Sequence, residues 1–342
     1  MKFLVVRLNA IGDIVLTSPV IRCIKKQVPL AEVHYLLDPQ YYRVMEHNPY
    51  VDKIHMHRPG EKMDNLLSEK FDLVIDLQNN DESQGLTKLL GTTTYTVDKL
   101  AFQKFIYTKL KWNIMPADHV VDRYFKALSP LGVKNDGEGL DFIIPENEKL
   151  VEKDIPASHH LGFIAIVIGG SRRNKKMPVP KLQELCHSID HPLILLGGKE
   201  DFNEGYQVSS IDPIKIYNAC GKFSLNESAD LLQRSKLVIS HDTGLMHIAA
   251  ALRKPVIAVW GSTVPSLGMY PYYGSVNQNK NLVTENVQYK KLWCRPCTTT
   301  GLDHCPQGHF KCMKKIPVQE MVEKVNAILK KGQNSNSLTE GW

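Results

Sequence analysis

Short, nearly unbroken apolar runs, each followed by a turn and then a helical pattern, limit this chain to very few folds. Residues 2–8, Lys-Phe-Leu-Val-Val-Arg-Leu, are the first such run. A strand buried on both faces reads this way, and such strands belong to parallel sheets covered by helices. Further runs at 32–37, 53–55, 73–77 and 93–96 alternate with helix-like segments such as 62–69, which makes a βαβα pattern. Helical spacing at Val120, Val121, Tyr124, Phe125 and Leu128 leads into a turn-rich stretch at 132–158. The alternation then restarts with strands at 161–167, 193–196, 214–218, 236–239 and 256–259 and helices at 180–187, 225–234 and 245–252. The reading is an α/β protein with two Rossmann-like halves.

Punctuation refines this picture. Ser224 with Glu227 three positions on is a capping box for the helix at 225–234. Pro19 after Ser18 predicts a helix capped by Ser18, with residues 12–18 irregular. The last helix, 317–331, carries Val318, Met321, Val322, Val325, Ile328 and Leu329 on one face, and Gly332 is expected to stop it. Residues 1–155 and 156–316 form the two expected domains, 317–331 the terminal helix and 332–342 a disordered tail.

At 342 residues and 43% hydrophobic content, two ordinary cores are within reach. The formal charge of +6 is spread without a Lys/Arg stripe that could track a nucleic-acid backbone, so nucleic acid is not an expected partner. An anionic substrate or membrane surface remains compatible with it. No export signal follows Met1-Lys2, no apolar run reaches the roughly 20 residues of a membrane-spanning helix, and the cysteines number seven. The expected location is therefore the cytoplasm, with free thiols, and peripheral contact with the cytoplasmic face of the inner membrane is left open.

Parallel sheets bind ligands at the carboxyl ends of their strands, so the loops that follow strands carry the information. Ser240-His241-Asp242-Thr243-Gly244-Leu245-Met246-His247 reads strand, tight turn, helix. Asp242 and Thr243 can cap that helix, whose freed amides carry about half a positive charge and suit a phosphate. Asn9 to Asp13 follows the first strand, Ile168-Gly169-Gly170-Ser171-Arg172-Arg173-Asn174-Lys175-Lys176 the strand ending at 167, and Gly197-Gly198-Lys199-Glu200 the next. Taken singly, these are also ordinary turns, basic loops and caps, Asp13 included. Together on the strand ends they suit a nucleotide diphosphate. Neither Gly-x-Gly-x-x-Gly after the first strand, nor a Walker lysine loop, nor Gly-x-Ser-x-Gly is present, which disfavours dehydrogenase, P-loop and hydrolase readings.

The stretches Arg7-Leu8-Asn9-Ala10-Ile11-Gly12-Asp13-Ile14-Val15-Leu16-Thr17-Ser18-Pro19 and Asp242-Thr243-Gly244-Leu245-Met246-His247-Ile248-Ala249-Ala250-Ala251 resemble the signatures of the family 9 glycosyltransferases, the heptosyltransferases of lipopolysaccharide core assembly. Residues 72–78, 119–124 and 259–263 support the likeness. The resemblance implies a GT-B fold, two Rossmann-like domains facing across a cleft, with the terminal helix crossing back to the first domain. It implies ADP-heptose as donor, a lipid-linked glycan acceptor, inversion at the anomeric carbon and no cofactor or metal for transfer. By motif, Asp13 matches the catalytic base, Lys175 or its neighbour Lys176 the phosphate-contacting lysine, and Asp242 a holder of sugar hydroxyls. Thr243, Gly244 and Leu245 match the diphosphate-binding amides. Ser171 and His247 are further donor-side matches, Glu200 and Phe223 stand for the ribose and adenine walls, and Asn9 and Gly12 fall on the acceptor-side loop. Other readings are a GT-B enzyme with a different nucleotide sugar, and a catalytically idle sugar-nucleotide or zinc-binding scaffold. Cys294, Cys297, Cys305 and Cys312 are the candidate structural zinc ligands; their alternative is a set of reduced thiols packing a long loop.

Overall fold

The structure, a computed structural model, describes residues 1–61, 63–276 and 282–337. Its first sheet contains β1 (Lys2–Val6), β2 (Glu32–Leu37), β3 (Lys53–Met56), β4 (Leu73–Asp76) and β5 (Thr94–Thr96) in the order β3-β2-β1-β4-β5. The second contains β6 (Ile164–Val167), β7 (Leu193–Leu196), β8 (Ile216–Asn218), β9 (Leu237–His241), β10 (Val256–Trp260) and β11 (Thr284–Gln288) in the order β11-β10-β9-β6-β7-β8. Every registered pair is parallel; Phe3, for example, sits beside Val33 on one side and Leu73 on the other. The strand order reverses between β1 and β4 in one sheet and between β6 and β9 in the other. Loops leaving those strands diverge to opposite faces and open a crevice, which is where such sheets hold ligands.

The first sheet is accompanied by α1 (Ile11–Val15), α2 (Ser18–Gln27), α3 (Tyr42–Met45), α4 (Asp64–Leu67), α5 (Asp81–Leu90), α6 (Ala101–Lys109) and α7 (Val120–Ala127). The second is accompanied by α8 (Val179–Ser188), α9 (Phe202–Ser209), α10 (Leu225–Arg234), α11 (Gly244–Ala251), α12 (Lys311–Lys314) and α13 (Val318–Ser337). The Ser224–Glu227 capping box opens α10 as its spacing requires, with both reciprocal hydrogen bonds formed.

Three local expectations are corrected. Residues 11–15 are helical rather than irregular, and the cap position of α2 belongs to Thr17. Ser18 lies inside the first turn of α2, where its hydroxyl accepts from the Asp141 amide and donates to the Val15 carbonyl. Gly332 does not end the last helix, which runs on to Ser337. One interior glycine costs about 1 kcal/mol relative to alanine, a small charge on a long helix with a buried stripe. Of the tail expected to be disordered, 332–337 is therefore helical, and 338–342 lies outside the described residues.

The stripe on α13 also finds a different partner from the one the resemblance implied. Val318, Met321, Val322 and Val325 are buried with Leu182 and Leu185 of α8, Ile257 and Val259 of β10 and Val287 of β11. The helix thus covers the outer face of the second sheet, which would otherwise present a row of aliphatic side chains to water. A separate buried cluster contains Phe3, Val5, Tyr35 and Tyr124 from the first half and Val167, Met246, Ile248 and Trp260 from the second.

The segment joining the two sheets is gripped from both sides. Arg22 of α2, almost fully buried, donates to Asp136 at 2.8 Å, to the Gly139 carbonyl at 2.8 Å and to Asp141. Arg253, just after α11, donates to the carbonyls of Leu140 and Glu138. Burial alone would raise the Asp136 carboxyl, but the Arg22 hydrogen bonds, the Glu138 amide and the guanidinium charge bring it down to about 2. Its stabilising effect is present above the ordinary carboxylate value and is lost as pH falls through 2, because only then does the folded form take up the proton. Removing one partner of a buried charge pair leaves the other uncompensated, so Arg22→Leu should lower unfolding stability by about 3 to 5 kcal/mol in denaturant titration. An unchanged midpoint would show that the segment is held elsewhere.

Candidate functional site

A cleft of about 490 Å³ opens where the loops after β1, β6, β7 and β9 converge. Ala10 to Asp13 and Tyr41 line it from the first half. Gly169 to Ser171, Lys175, Gly197, Gly198, Glu200, Phe223, Asp242 to Leu245, His247 and Met269 line it from the second. Of the residues singled out in the sequence, Gly12, Asp13, Ser171, Lys175, Glu200, Phe223, Asp242, Thr243, Gly244, Leu245 and His247 meet there. Asn9 does not line it; its carboxamide oxygen accepts from Gln78, tying the loop after β1 to the loop after β4.

Two glycines allow the two walls to touch. A Cβ on Gly12 would lie 2.6 Å from Cδ2 of buried His247, and one on Gly244 would lie 2.7 Å from the Ile11 side chain. Real Cβ atoms do not come so close, so α1 and the first turn of α11 can pack directly only because both positions lack side chains. Ala10 adds to the sharpness of this turn with φ 68°, a left-handed value rarely taken by a residue with a side chain.

On the first wall, Asp13 does not cap the helix: α1 starts after Ala10, and the Asp13 carboxylate pairs with Arg7 at 2.8 Å. The other arm of Arg7 donates to the Leu77 carbonyl at 2.8 Å. Burial works against the Arg7 charge, but Asp13 alongside holds its pKa above the ordinary arginine value. Arg7 fixes the carboxylate at the end of β1, a role the sequence did not separate from strand burial. Asp76, at the end of β4, is buried and engaged by the amides of Gln78 and Asn79 and the Ser83 hydroxyl. Asp81 and Glu82 belong to the first turn of α5, behind its Asn80 cap.

On the opposite wall, Thr243 holds the cap position of α11 without a side-chain capping bond. The first amides of that helix are the donors helix geometry leaves unpaired. Lys175 Nζ lies 2.8 Å from Asp242 Oδ2, and Thr263 donates to the same oxygen at 2.9 Å. Lys176 turns away to Asp201 at 2.6 Å and Glu204 at 2.7 Å and does not line the cleft. This division between adjacent lysines is enforced on both sides. Asn174 is buried, its carboxamide oxygen accepting from Ser262 and the Leu302 amide, while His241 Nε2 accepts from the Met177 amide at 2.9 Å.

Cys294, Cys297 and Cys312 share one neighbourhood near the Arg295 guanidinium, with Cys305 close to Cys297 and Cys312, but the four do not form a ligand cage. No three of their sulfurs lie within 4.8 Å of one another, whereas Zn–S bonds of about 2.3 Å in a tetrahedron require sulfurs under about 4 Å apart. Cys294 instead faces His309 Nε2 at 3.8 Å, and Cys305 accepts from the Phe310 amide at 3.3 Å. As arranged, the four thiols do not fit the structural zinc site. Ligand-spaced groups among the described residues lie elsewhere: His34, His55 and Glu69, and Glu46, His47 and Glu148.

Burial holds His241 and His247 neutral, bringing each imidazole down to about 4, although the Gly169 carbonyl and nearby carboxylates oppose it. Between pH 4 and about 6.5 the unfolded chain binds protons at these positions that the folded chain does not, so stability must fall as pH is lowered through that window. Thermal melts across it should show the loss, and His247→Gln should remove part of it, leaving the share due to His241. Gly12→Ala, which forces a methyl into His247, should cost about 1 to 3 kcal/mol of stability, read by denaturant titration.

Comparison with known proteins places the chain in a family. The sequence model described as glycosyltransferase family 9 (heptosyltransferase) matches residues 62–299. The chain is 27% identical to lipopolysaccharide heptosyltransferase 1 of Campylobacter coli, over 96% of this chain and 99% of that one. A family 9 glycosyltransferase from Veillonella parvula superposes with a TM-score of 0.75 at 21% identity, covering 96% of this chain and 97% of the other. ADP-heptose lipopolysaccharide heptosyltransferase II of Escherichia coli does so with a TM-score of 0.70 at 18% identity, covering 97% and 100%. The fold is GT-B, and the chain belongs to glycosyltransferase family 9, the heptosyltransferases.

Proposed function

We propose that this glycosyltransferase moves a heptose from ADP-heptose to a lipid-linked acceptor of the lipopolysaccharide core, with inversion and without a metal in the transfer step. The observation that carries the reading is the division of the cleft. One wall presents a carboxylate oriented by an arginine, and the other presents a helix N-terminus, a lysine and glycine-lined turns. The relatives' names supply the heptose and the ADP.

In this mechanism the acceptor hydroxyl oxygen attacks the anomeric carbon from the side of the first domain. The bond from that carbon to the diphosphate oxygen breaks, its electron pair leaves with ADP, and Asp13 receives the hydroxyl proton. Arg7 keeps the receiving carboxylate at the cleft. The α11 amides, with Lys175, meet the charge growing on the departing diphosphate, where fixed donors act without reorganising. Lys175 exchanges Asp242 for phosphate, which leaves the Asp242 carboxylate, still bonded to Thr263, to accept from sugar hydroxyls. Gly169 and Gly170 let the diphosphate approach the backbone, while Glu200 and Phe223 flank the nucleoside.

A positioned base contributes about 10² to 10⁴ in rate, so Asp13→Asn should lose that much turnover while ADP affinity stays near wild type. The assay is heptose transfer from ADP-heptose to truncated lipopolysaccharide acceptors, read by mass spectrometry. An active Asn variant removes Asp13 from the chemistry. A charge-assisted hydrogen bond is worth about 1.5 to 3 kcal/mol, so Lys175→Ala should weaken ADP binding about 10- to 100-fold in calorimetry. Lys176→Ala should leave it nearly unchanged; the reverse pattern transfers the phosphate contact to Lys176.

A further inference from the structure

Helix α6 is built inside out. Its surface-facing residues Phe102 and Phe105 are 68% and 56% exposed, and the chain just beyond it leaves Trp112 69% exposed, with Leu110 and Ile114 about half exposed. Its anchoring contacts are polar: Tyr107 bonds Ser266 at 2.8 Å, and Lys111 donates to the Pro296 carbonyl at 2.8 Å. An ordinary surface helix turns its apolar stripe inward, and soluble proteins rarely leave such a cluster of large apolar side chains uncovered.

Within this segment the charge has one sign, and Asp98 and Asp118 flank its two ends. From Lys99 to Ala117 there is no aspartate or glutamate, while Lys99, Lys104, Lys109 and Lys111 all fall in that span. Lys109 continues the stripe of Phe102 and Phe105 at helical spacing and is itself exposed. Three residues from Pro296 stands Trp293, 73% exposed, after exposed Lys290 and Lys291. Aromatic side chains interleaved with lysines, without intervening acids, fit the boundary between headgroups and acyl chains of an anionic bilayer. Neutral lipid would leave the lysines unanswered.

We propose that α6 and residues 110–114 form a docking surface for anionic phospholipid, the aromatics entering the interface and Lys99 and Lys109 meeting headgroup phosphates. Lys99 and Lys104 also lie within electrostatic reach of Asp13, so the docked face adjoins the first-domain wall of the cleft. This deepens the acceptor half of the proposed function and rests on it for its purpose: a lipid-linked acceptor would reach the cleft without leaving the membrane.

The test is co-sedimentation of the full chain with vesicles of pure phosphatidylcholine and of phosphatidylcholine with phosphatidylglycerol, none containing glycolipid. Wild type should partition onto the anionic vesicles at least about 10-fold better than onto neutral ones, and raised salt should remove most of the difference. The triple variant Phe102→Ala, Phe105→Ala, Trp112→Ala should lose about 10-fold or more of that binding, with melting temperature and ADP affinity unchanged. Lys99→Glu with Lys109→Glu should lose the preference for anionic lipid while keeping the fold. Wild type left in the supernatant, or a triple variant that binds equally well, overturns the proposal. So does sedimentation equilibrium showing a dimer that the triple variant abolishes, which assigns the patch to a second copy of the chain. Transfer to a soluble, deacylated acceptor is read in parallel. If that fails in wild type while vesicle binding holds, the proposed reaction is wrong and the docking surface stands.

Discussion

The contact of α1 with the start of α11, made possible by Gly12 and Gly244, sets the geometry of everything around it. At that contact the loop after β1 and the loop after β9, each emerging at the point where its sheet reverses strand order, meet with no side chain between them. The carboxylate of Asp13 and the amide end of α11 are thereby brought to one cleft from different sheets. His247 is buried against Gly12, and burial keeps it neutral, so the junction is closed by an imidazole that puts no charge between the two walls. The joint is therefore defined by shape, and the electrostatics of the cleft are left to the groups that line it.

Charge is then held in pairs until something better arrives. Arg7 with Asp13, Lys175 with Asp242 and Lys176 with Asp201 each match a cation to a carboxylate at 2.6 to 2.8 Å. Asp13 of the first pair and both members of the second line the cleft, on opposite walls; of the third, Asp201 lines it and Lys176 does not. In the proposed reaction a diphosphate takes Lys175 from Asp242, and the released carboxylate keeps the Thr263 hydroxyl as a hydrogen-bond donor. Lys176 offers no such exchange: it does not line the cleft, and two carboxylates, Asp201 and Glu204, engage it at once.

The fold was legible in the sequence wherever a strand is buried on both faces. β2 and β7 match their apolar runs to the residue, and β1, β4, β6 and β9 differ from theirs only at the ends. β11 escaped because it is an edge strand, Thr-Glu-Asn-Val-Gln, in which only Val287 is buried. α6 escaped because its apolar residues point away from the core, so its periodicity marks a surface rather than a packing face. The tail of α13 was misread because a glycine was taken as a stop where the helix continues through it.

The site was legible in a different way, through the residue types that strand-end loops require. Glycines where backbone must approach, a carboxylate after β1 and a helix opening after β9 are local features, and local features can be read without coordinates. What decides between Lys175 and Lys176 is not local. Adjacent side chains in an extended or turning segment point to opposite sides, and which side faces the cleft is fixed by Asn174 reaching Ser262 and Leu302, and by His241 holding the Met177 amide. Those partners are 64 to 128 residues away in sequence. Arg7 presents the same difficulty in milder form: within an apolar run it reads as a strand residue, and only the packed loops after β1 and β4 reveal that its two arms join Asp13 to the Leu77 carbonyl. Residue type announces that a cation is present at a strand end, while the long-range contacts that bury its neighbours decide what that cation can touch.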